Sequence, residues 1–254
     1  MPDRYAVIGH PISHSRSPII HRIFAEDTGE PISYEALDVE PAELSDAIRA
    51  FTTEGGRGLN VTVPHKQDVI GLMDSLTERA QLAGAVNTIT LRDDGTLEGD
   101  NTDGVGLIAD LLNLGVELID ASILILGAGG ATRGIIPPIM ERKPAELVIA
   151  NRTIEKAQSL AAAFADLGHI TACGFDDLED KHFNLIINAT SAGLKGDLPP
   201  FPVSMLSPDT VCYDLSYSMR DTPFVDWART NGCRQAYHCL LYTSDAADES
   251  SRGG

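Results

Sequence analysis

The chain has 254 residues, of which 43% are hydrophobic and 22% charged, which is typical of a soluble globular protein with one or two domains. Its net charge of −18 excludes a general nucleic-acid-binding role, because such binding needs clustered Lys and Arg to displace counterions. The longest apolar runs fall short of the roughly 20 residues that a membrane-spanning helix needs.

The cysteines and the N-terminus indicate the compartment. The four cysteines contain no CxxC pair and the chain is too long for a small disulfide-rich scaffold, so reduced thiols in a cytoplasmic protein are expected. The first residues run into a predicted strand rather than into a signal peptide.

The N-terminal region alternates predicted strands and helices. Strands are predicted over residues 5–9, 32–39, 59–63 and 83–91, and helices after Pro18, over 41–51, from about 66, and from about 104 to 114. This alternation predicts a parallel or mixed open sheet. Ligands of such sheets bind outside the carboxyl ends of the strands, where the polar loops of this region lie.

Polar residues in this region leave alternatives open. Ser15 and Ser17 precede a helix, and capping is the commoner explanation for hydroxyls at this spacing, with ligand binding as the alternative. Lys66 lies at a strand-to-helix junction, where the helix dipole disfavours a cation. Asn87, placed in the middle of an apolar strand, either bonds inside the core or faces a cleft.

The second region begins with a nucleotide-binding pattern. An apolar strand over 122–126 runs into the glycine-rich segment Gly127-Ala128-Gly129-Gly130-Ala131, and a helix follows. Glycines here let the backbone approach a pyrophosphate, and the helix N-terminus adds partial positive charge. The match to G-x-G-x-x-G is imperfect because the sixth position is Thr132.

The next strand, over 147–150, indicates which dinucleotide is bound. An NAD enzyme carries an acidic residue at its tip, whereas this chain has Asn151, Arg152 and Thr153, with Lys156 one turn on. Guanidinium, hydroxyl and ammonium groups attract a 2′-phosphate, so NADP is predicted over NAD. Further strands over 184–188 and 211–215 and helices over 154–167 and 223–230 complete a predicted doubly wound Rossmann domain.

With these segments in place, the sequence resembles the shikimate dehydrogenase family from residue 5 to about residue 232. The resemblance is carried, in order, by residues 9–18, 60–66, 82–88, 99–104, 127–131, 151–153 and 188–191. It implies a reversible, NADP-linked reduction of 3-dehydroshikimate to shikimate in aromatic amino-acid biosynthesis. It also implies an α/β fold with a substrate domain over 1–103, a Rossmann NADP-binding domain over 104–232, and a cleft between them.

The resemblance also assigns roles to individual residues. The catalytic pair falls on Lys66 and Asp103. Substrate contacts fall on Ser15, Ser17, Asn60, Thr62, Asn87 and Tyr217. The dinucleotide contacts comprise the glycine-rich loop, an adenine-phosphate clasp at Asn151, Arg152, Thr153 and Lys156, and Thr190 and Leu215 near the nicotinamide. No metal is expected, and the protein is expected to be a monomer or a homodimer.

The family pattern ends after Gly232. The family continues with a glutamine that touches substrate and with closing helices, for which residues 233–254 offer no counterpart. An atypical tail, either truncated or foreign in origin, is therefore expected, with reduced stability and activity. Two alternatives remain: a quinate/shikimate dehydrogenase of relaxed specificity, and a catalytically impaired NADP-binding protein.

Overall fold

The computed structural model describes residues 2–13, 15–190, 198, 201–216 and 221–239. The chain divides into two compact units between Asp103 and Gly104. Both units are of the α/β class, as the sequence predicts. None of the helices within these residues is long and apolar enough to cross a membrane.

The first unit is built on a mixed six-stranded sheet. Its strands are β1 (Asp3–Gly9), β2 (Ile32–Asp38), β3 (Gly56–Val61), β4 (Ser75–Leu76), β5 (Thr88–Leu91) and β6 (Leu97–Asp100), and its helices are α1 (Ser17–Thr28), α2 (Leu44–Thr53) and α3 (Glu78–Ala83). The strand order is β2-β1-β3-β5-β6-β4. Strand β1 is parallel to both neighbours, and β5 is antiparallel to β3 and β6.

Alternation along the strands gives this sheet two different faces. Ile8 and Leu59 belong to the apolar core that includes Ile48 and Phe51 of α2. The opposite face is more polar, and there His21 of α1 packs against the sheet. The period-2 pattern of the strands therefore separates a dry core from a face that carries hydrogen-bonding groups.

Two local predictions for this unit are wrong. The strand predicted over residues 83–91 begins only at Thr88, because α3 ends at Ala83 and its C-cap Gly84 has a left-handed backbone that interrupts an extended run. No α-helix begins at Lys66; a short 3₁₀ helix, Asp68–Leu72, follows instead. The carbonyl of Lys66 accepts the N–H of Val86 at 2.7 Å, so it is not used in a helical turn.

The second unit is a doubly wound parallel sheet. Its strands are β7 (Ser122–Leu126), β8 (Glu146–Ala150), β9 (Ile170–Cys173), β10 (Leu185–Asn188), β11 (Val211–Asp214) and β12 (Gln235–His238), and its helices are α4 (Asp103–Asn113), α5 (Gly130–Glu141), α6 (Ile154–Ala163) and α7 (Pro223–Thr230). The order β9-β8-β7-β10-β11-β12 is that of a Rossmann sheet, whose direction of winding reverses between β7 and β10.

Strand β12 lies beyond the predicted end of the Rossmann domain at residue 232. It pairs in parallel with β11, and the N–H of Cys239 bonds to the carbonyl of Asp214 at 2.7 Å. The sheet of this unit therefore extends beyond residue 232, and β12 was not predicted because a four-residue strand with polar ends carries little periodic signal. The rest of the predicted tail, residues 240–254, lies outside the described residues.

Pro138, one of the two prolines inside α5, has a packing role that the sequence left unexplained. Pro138 has no N–H, so it leaves the carbonyl of Gly134 without its helical donor. A Cβ on Gly104 of α4 would lie 2.5 Å from that carbonyl oxygen and 2.5 Å from the Pro138 ring. Gly104 is therefore required for α4 to approach α5 this closely.

Candidate active site

Lys66 and Asp103 form an ion pair in the first unit. The Lys66 Nζ atom donates to Asp103 Oδ2 at 2.6 Å, and both side chains are largely buried, at 14% and 13% exposure. Lys66 lies in the turn after β3, and Asp103 begins α4. An ion pair this short and this shielded from water holds the ammonium in a defined position.

The amide of Asn87 fixes the carboxylate of that pair. Its Nδ2 donates to Asp103 Oδ1 at 2.8 Å and to Thr102 Oγ1 at 3.0 Å. Its Oδ1 accepts the Thr102 N–H at 3.0 Å and the Thr88 hydroxyl at 2.9 Å. Asn87 is thus hydrogen-bonded within the protein, and one of these bonds reaches Asp103, so both carboxylate oxygens of Asp103 are held by donors.

The two predicted serines lie at the start of α1. The N-cap position is Arg16, which makes no side-chain cap bond, and Pro18 occupies the first turn. The Ser15 hydroxyl accepts the Ser17 N–H at 3.3 Å and lies 3.3 Å from the Ser17 hydroxyl. Neither serine fills the N-cap position, but the Ser15 hydroxyl accepts the first N–H of α1, so the structure agrees with the capping explanation for Ser15 and leaves ligand binding by the two hydroxyls as a prediction.

Asn60 and Thr62 lie at the end of β3 and just beyond it. The Asn60 Oδ1 atom accepts the Tyr34 hydroxyl at 2.6 Å. The loop after β1 runs beside the turn after β3, since the His10 N–H bonds to the Val63 carbonyl at 3.0 Å. Predicted substrate contacts therefore gather at the carboxyl ends of β1 and β3. Tyr217, also predicted to contact substrate, lies outside the described residues.

Asp100 supports the loop that carries Asp103. Its carboxylate is 7% exposed, accepts both Nε and Nη2 of Arg79, and also accepts the Thr77 hydroxyl at 2.6 Å and the Asn101 N–H at 2.7 Å. Burial raises the pKa of Asp100, but the bonds from Arg79 and Thr77 outweigh it, so the pKa lies below its ordinary value. This Arg79–Asp100 pair under the loop was not predicted from the sequence.

Replacing Arg79 with methionine is expected to lower the free energy of unfolding by about 1–3 kcal/mol at pH 7, because a buried carboxylate loses its charged partner. This estimate is below that of a fully buried pair since Arg79 is 39% exposed. Because the folded-state pKa of Asp100 is lowered, the stabilisation is present above the unfolded value of about 3.9 and is lost as the pH falls through the folded value.

Urea unfolding at neutral and acid pH measures this difference. The matched control is Arg49→Met, which removes an exposed pair with Asp46 at 3.4 Å and should cost about 0.5 kcal/mol or less. An Arg79 variant as stable as this control, or a stability gap that grows at acid pH, would contradict the role given to Asp100.

The glycine-rich segment of the second unit fits a bound pyrophosphate. Gly127 has φ of 109°, and a Cβ there would lie 3.0 Å from the carbonyl of Ala189, so only glycine allows β7 and the end of β10 to approach so closely. Gly129 is the N-cap of α5 and, having no side chain, makes no cap bond, so this residue leaves the N–H groups of the first turn uncapped, as a phosphate-binding helix N-terminus requires. The Thr132 hydroxyl bonds to the Gly127 carbonyl at 2.9 Å, which accounts for the departure from the glycine pattern.

The predicted phosphate clasp follows β8. The Asn151 side chain donates to the Thr153 carbonyl at 2.8 Å and so shapes the turn. Arg152, Thr153 and Lys156 are exposed. Within the described part of the chain, neither Arg152 nor Lys156 is paired with a carboxylate, so both cations are available to an anion. The residues present therefore fit the phosphate groups of NADP.

The predicted nicotinamide-side residues are joined by a polar network that sequence analysis missed. The Asn188 Oδ1 atom accepts the Thr190 hydroxyl at 2.8 Å and its N–H at 3.2 Å, and the Asn188 carbonyl accepts the Leu215 N–H at 2.9 Å. The Asn188 Nδ2 atom donates to Asp214 Oδ1 at 3.1 Å. Thr190 and Leu215 are thus brought together beside the reversal point of the sheet.

Asp214 anchors this network from inside the protein. It is fully buried, and it accepts the Thr222 hydroxyl at 2.6 Å and the Ser216 N–H at 2.9 Å. Burial raises the pKa of Asp214 above its ordinary value, although these bonds oppose the rise. Asn188 and Asp214 are each a polar residue at the end of an apolar strand. This pattern is the sequence signal from which the network could have been predicted.

Comparisons with known proteins agree with this geometry. A family model described as "Shikimate dehydrogenase substrate binding domain" matches residues 7–89, and one described as "Shikimate / quinate 5-dehydrogenase" matches residues 110–195. The shikimate dehydrogenase (NADP(+)) of Methylococcus capsulatus is 54% identical over 229 residues, which cover 90% of this chain and 82% of that protein. The corresponding protein of Aeromonas salmonicida is 52% identical over 248 residues, covering 98% and 90%.

A solved structure of a family member has a similar fold. The crystal structure of shikimate 5-dehydrogenase from Thermus thermophilus in complex with NADP(H) and shikimate has a TM-score of 0.84 and 31% sequence identity, and the match covers 96% of this chain and 90% of that one. Since the sequence matches span nearly the whole chain at about half identity, the chain belongs to the shikimate dehydrogenase family.

Proposed function

We propose that this protein is an NADP-dependent shikimate dehydrogenase, which reversibly reduces 3-dehydroshikimate to shikimate in the biosynthesis of aromatic amino acids. The observation that carries this proposal is the shielded Lys66–Asp103 pair, with Asp103 fixed by Asn87, at the carboxyl end of β3. The family's relatives, whose printed name is shikimate dehydrogenase (NADP(+)), support it.

The chain's own residues would handle the proton. NADPH supplies the hydride when bound. In the direction of reduction, the Lys66 ammonium donates a hydrogen bond to the ketone oxygen, stabilises the negative charge that develops there, and gives up its proton. In the direction of oxidation, the Lys66 amine takes the proton of the substrate hydroxyl. Asp103 keeps the Lys66 nitrogen in position throughout.

Other residues at this site would hold the substrate ring. We assign the hydroxyls of Ser15 and Ser17 to the carboxylate, because hydroxyl donors at a helix N-terminus suit an anion. Asn60 and Thr62 are assigned to ring oxygens. Asn87 already donates to Asp103 and Thr102, so a substrate oxygen would share or replace one of these bonds.

A spectrophotometric assay tests the function. The full chain is offered shikimate or quinate with NADP or NAD, and the formation of the reduced cofactor is followed at its absorbance band. Rapid turnover with shikimate and NADP is expected. Comparable turnover with quinate would favour the quinate/shikimate alternative, and NADP binding without turnover of either acid would favour a non-catalytic NADP-binding protein.

Replacing Arg152 with serine is expected to raise the KM for NADP by about 10- to 100-fold and to change the KM for NAD much less. A charge-assisted bond to the 2′-phosphate is worth about 1.5–3 kcal/mol, and NAD lacks that phosphate. Steady-state kinetics with both cofactors measure the ratio. The control is Arg142→Ser, which removes an exposed arginine elsewhere in the same unit. Equal effects on the two cofactors would contradict a phosphate-reading role.

The oligomeric state and the cellular compartment belong to the same proposal. We propose that the protein is a monomer or a homodimer. We also propose that it works in the cytoplasm, because its biosynthetic relatives and its four free cysteines favour that compartment. Size-exclusion chromatography with light scattering distinguishes the monomer from the dimer.

A further inference from the structure

Tyr34 is a residue outside the predicted site whose hydroxyl reaches a predicted substrate contact. It lies on edge strand β2, and its hydroxyl bonds to Asn60 Oδ1 on β3 at 2.6 Å. In the sheet register, Tyr34 is opposite Tyr5 and Asn60 is opposite Val7. Because Tyr5 and Val7 are two positions apart on β1, Tyr34 and Asn60 share one face of the sheet, and the tyrosine spans β1 to reach the amide.

The ring of Tyr34 is held in place by a stacked histidine of α1. His21 of α1 stacks on it with ring centroids 4.1 Å apart and an interplanar angle of 4°. His21 is itself buried, with 8% exposure. A ring fixed between a helix and the sheet places its hydroxyl at one position, so the bond to Asn60 is made without further ordering of the side chain.

Tyr34 contacts the oxygen of the Asn60 amide, not its nitrogen. A separation of 2.6 Å is typical of an O–H···O bond and shorter than the usual range of N–H···O bonds. The Tyr34 hydroxyl therefore donates to the amide oxygen of Asn60, and the amide NH₂ faces the other way. Within the described part of the chain, no residue accepts a hydrogen bond from that NH₂ group.

We propose that Tyr34 is a positioning residue of the substrate site, which fixes the Asn60 amide so that Asn60 serves as a hydrogen-bond donor to an oxygen of the bound hydroxy acid. The inference rests on the proposed function and deepens it, because it states how Asn60 reads the substrate. Asn60 then selects ligands that have a hydrogen-bond-accepting oxygen next to its NH₂ group. A ligand with a C–H group at that position would leave the NH₂ without an acceptor.

Replacing Tyr34 with phenylalanine tests the inference, since the variant keeps the ring on His21 and removes only the O–H. The KM for shikimate is expected to rise about 3- to 10-fold, which is the loss expected when one neutral hydrogen bond no longer orients a donor. The kcat should stay within about 2-fold and the KM for NADP should not change, because Lys66 and the cofactor loop are untouched. The control Tyr237→Phe removes a phenol hydroxyl from the second unit.

A double-mutant cycle shows whether Tyr34 acts through Asn60. Asn60→Ala should raise the KM for shikimate about 10-fold or more, and Tyr34→Phe should add nothing in that background. Asn60→Asp keeps an acceptor for Tyr34 but has no N–H for the ligand, so its KM should rise at least as much as that of Asn60→Ala. A normal KM in Asn60→Asp or Tyr34→Phe, or an undiminished Tyr34→Phe effect in the Asn60→Ala background, would overturn the inference.

The wild-type protein, assayed in parallel, separates this inference from the proposed function. Turnover of shikimate by the wild type together with an unaffected Tyr34→Phe variant would refute the role of Tyr34 alone. A wild type that neither oxidises shikimate nor binds it in titration calorimetry would refute the proposed function, and the role of Tyr34 with it. Melting temperatures close to that of the wild type show that the KM changes arise in the site.

Discussion

Replacing Lys66 with alanine is expected to lower kcat for shikimate oxidation by about 10³-fold, the combined size of a lost proton-transfer group and a lost oxyanion donor. The Lys66 ammonium has three N–H donors and uses one for Asp103, so it can give a proton to a substrate oxygen while it stays bonded to Asp103. NADP should still bind, because its proposed contacts are in the second unit. Turnover and cofactor titration are measured on the same preparation.

Two further variants separate the roles of Lys66. Lys66→Arg keeps a positive charge, but a guanidinium does not release its proton, so this variant should stay nearly as inactive as the alanine variant if proton transfer is the essential step. Lys181→Ala, which removes an exposed lysine, should retain full activity. Near-normal turnover of Lys66→Ala would refute the catalytic role, and substantial turnover of Lys66→Arg would reduce that role to electrostatic stabilisation.

Segments with strong local signals were predictable from the sequence. The strand over residues 122–126 has the predicted limits, because it is an apolar run bounded by turn residues. The helix over 223–230 also has the predicted limits, because Pro223 is a recognisable helix start. Strands β9 and β12 were missed, since each is four residues long and is defined by pairing with a neighbour. The pairing of a short strand is a tertiary property that local sequence does not encode.

In the candidate site, too, the residue types could be predicted from the sequence, whereas their tertiary contacts could not. The residue types that carry the chemistry were identifiable, but their contacts join positions far apart in the chain: Lys66 with Asp103, and Tyr34 with Asn60. Asn87 was left undecided between a core and a cleft position; in the structure it is buried, its amide is hydrogen-bonded inside the protein, and one of these bonds holds Asp103. Sequence indicates the groups, whereas only the fold shows which group orients another.

Asp103→Asn is expected to lower kcat by about 10²- to 10³-fold, close to the Lys66 variant, although the substitution is nearly isosteric. In the structure both oxygens of Asp103 accept hydrogen bonds, Oδ2 from Lys66 and Oδ1 from Asn87. An amide has only one oxygen, so in either orientation its NH₂ faces a donor, either the ammonium or the Asn87 amide. The ammonium loses its counter-charge as well, and its position is no longer fixed.

The outcome distinguishes a charge effect from a general loss of structure. Asp68→Asn makes the same chemical change at an exposed position two residues beyond Lys66 and should leave kcat unchanged. If the Asp103 variant melts close to the wild type and binds NADP normally, the loss belongs to the Lys66 ammonium. Turnover within about 3-fold of the wild type would show that Lys66 does not need its partner, since the bonds that Asp103 makes would then contribute less than one neutral hydrogen bond.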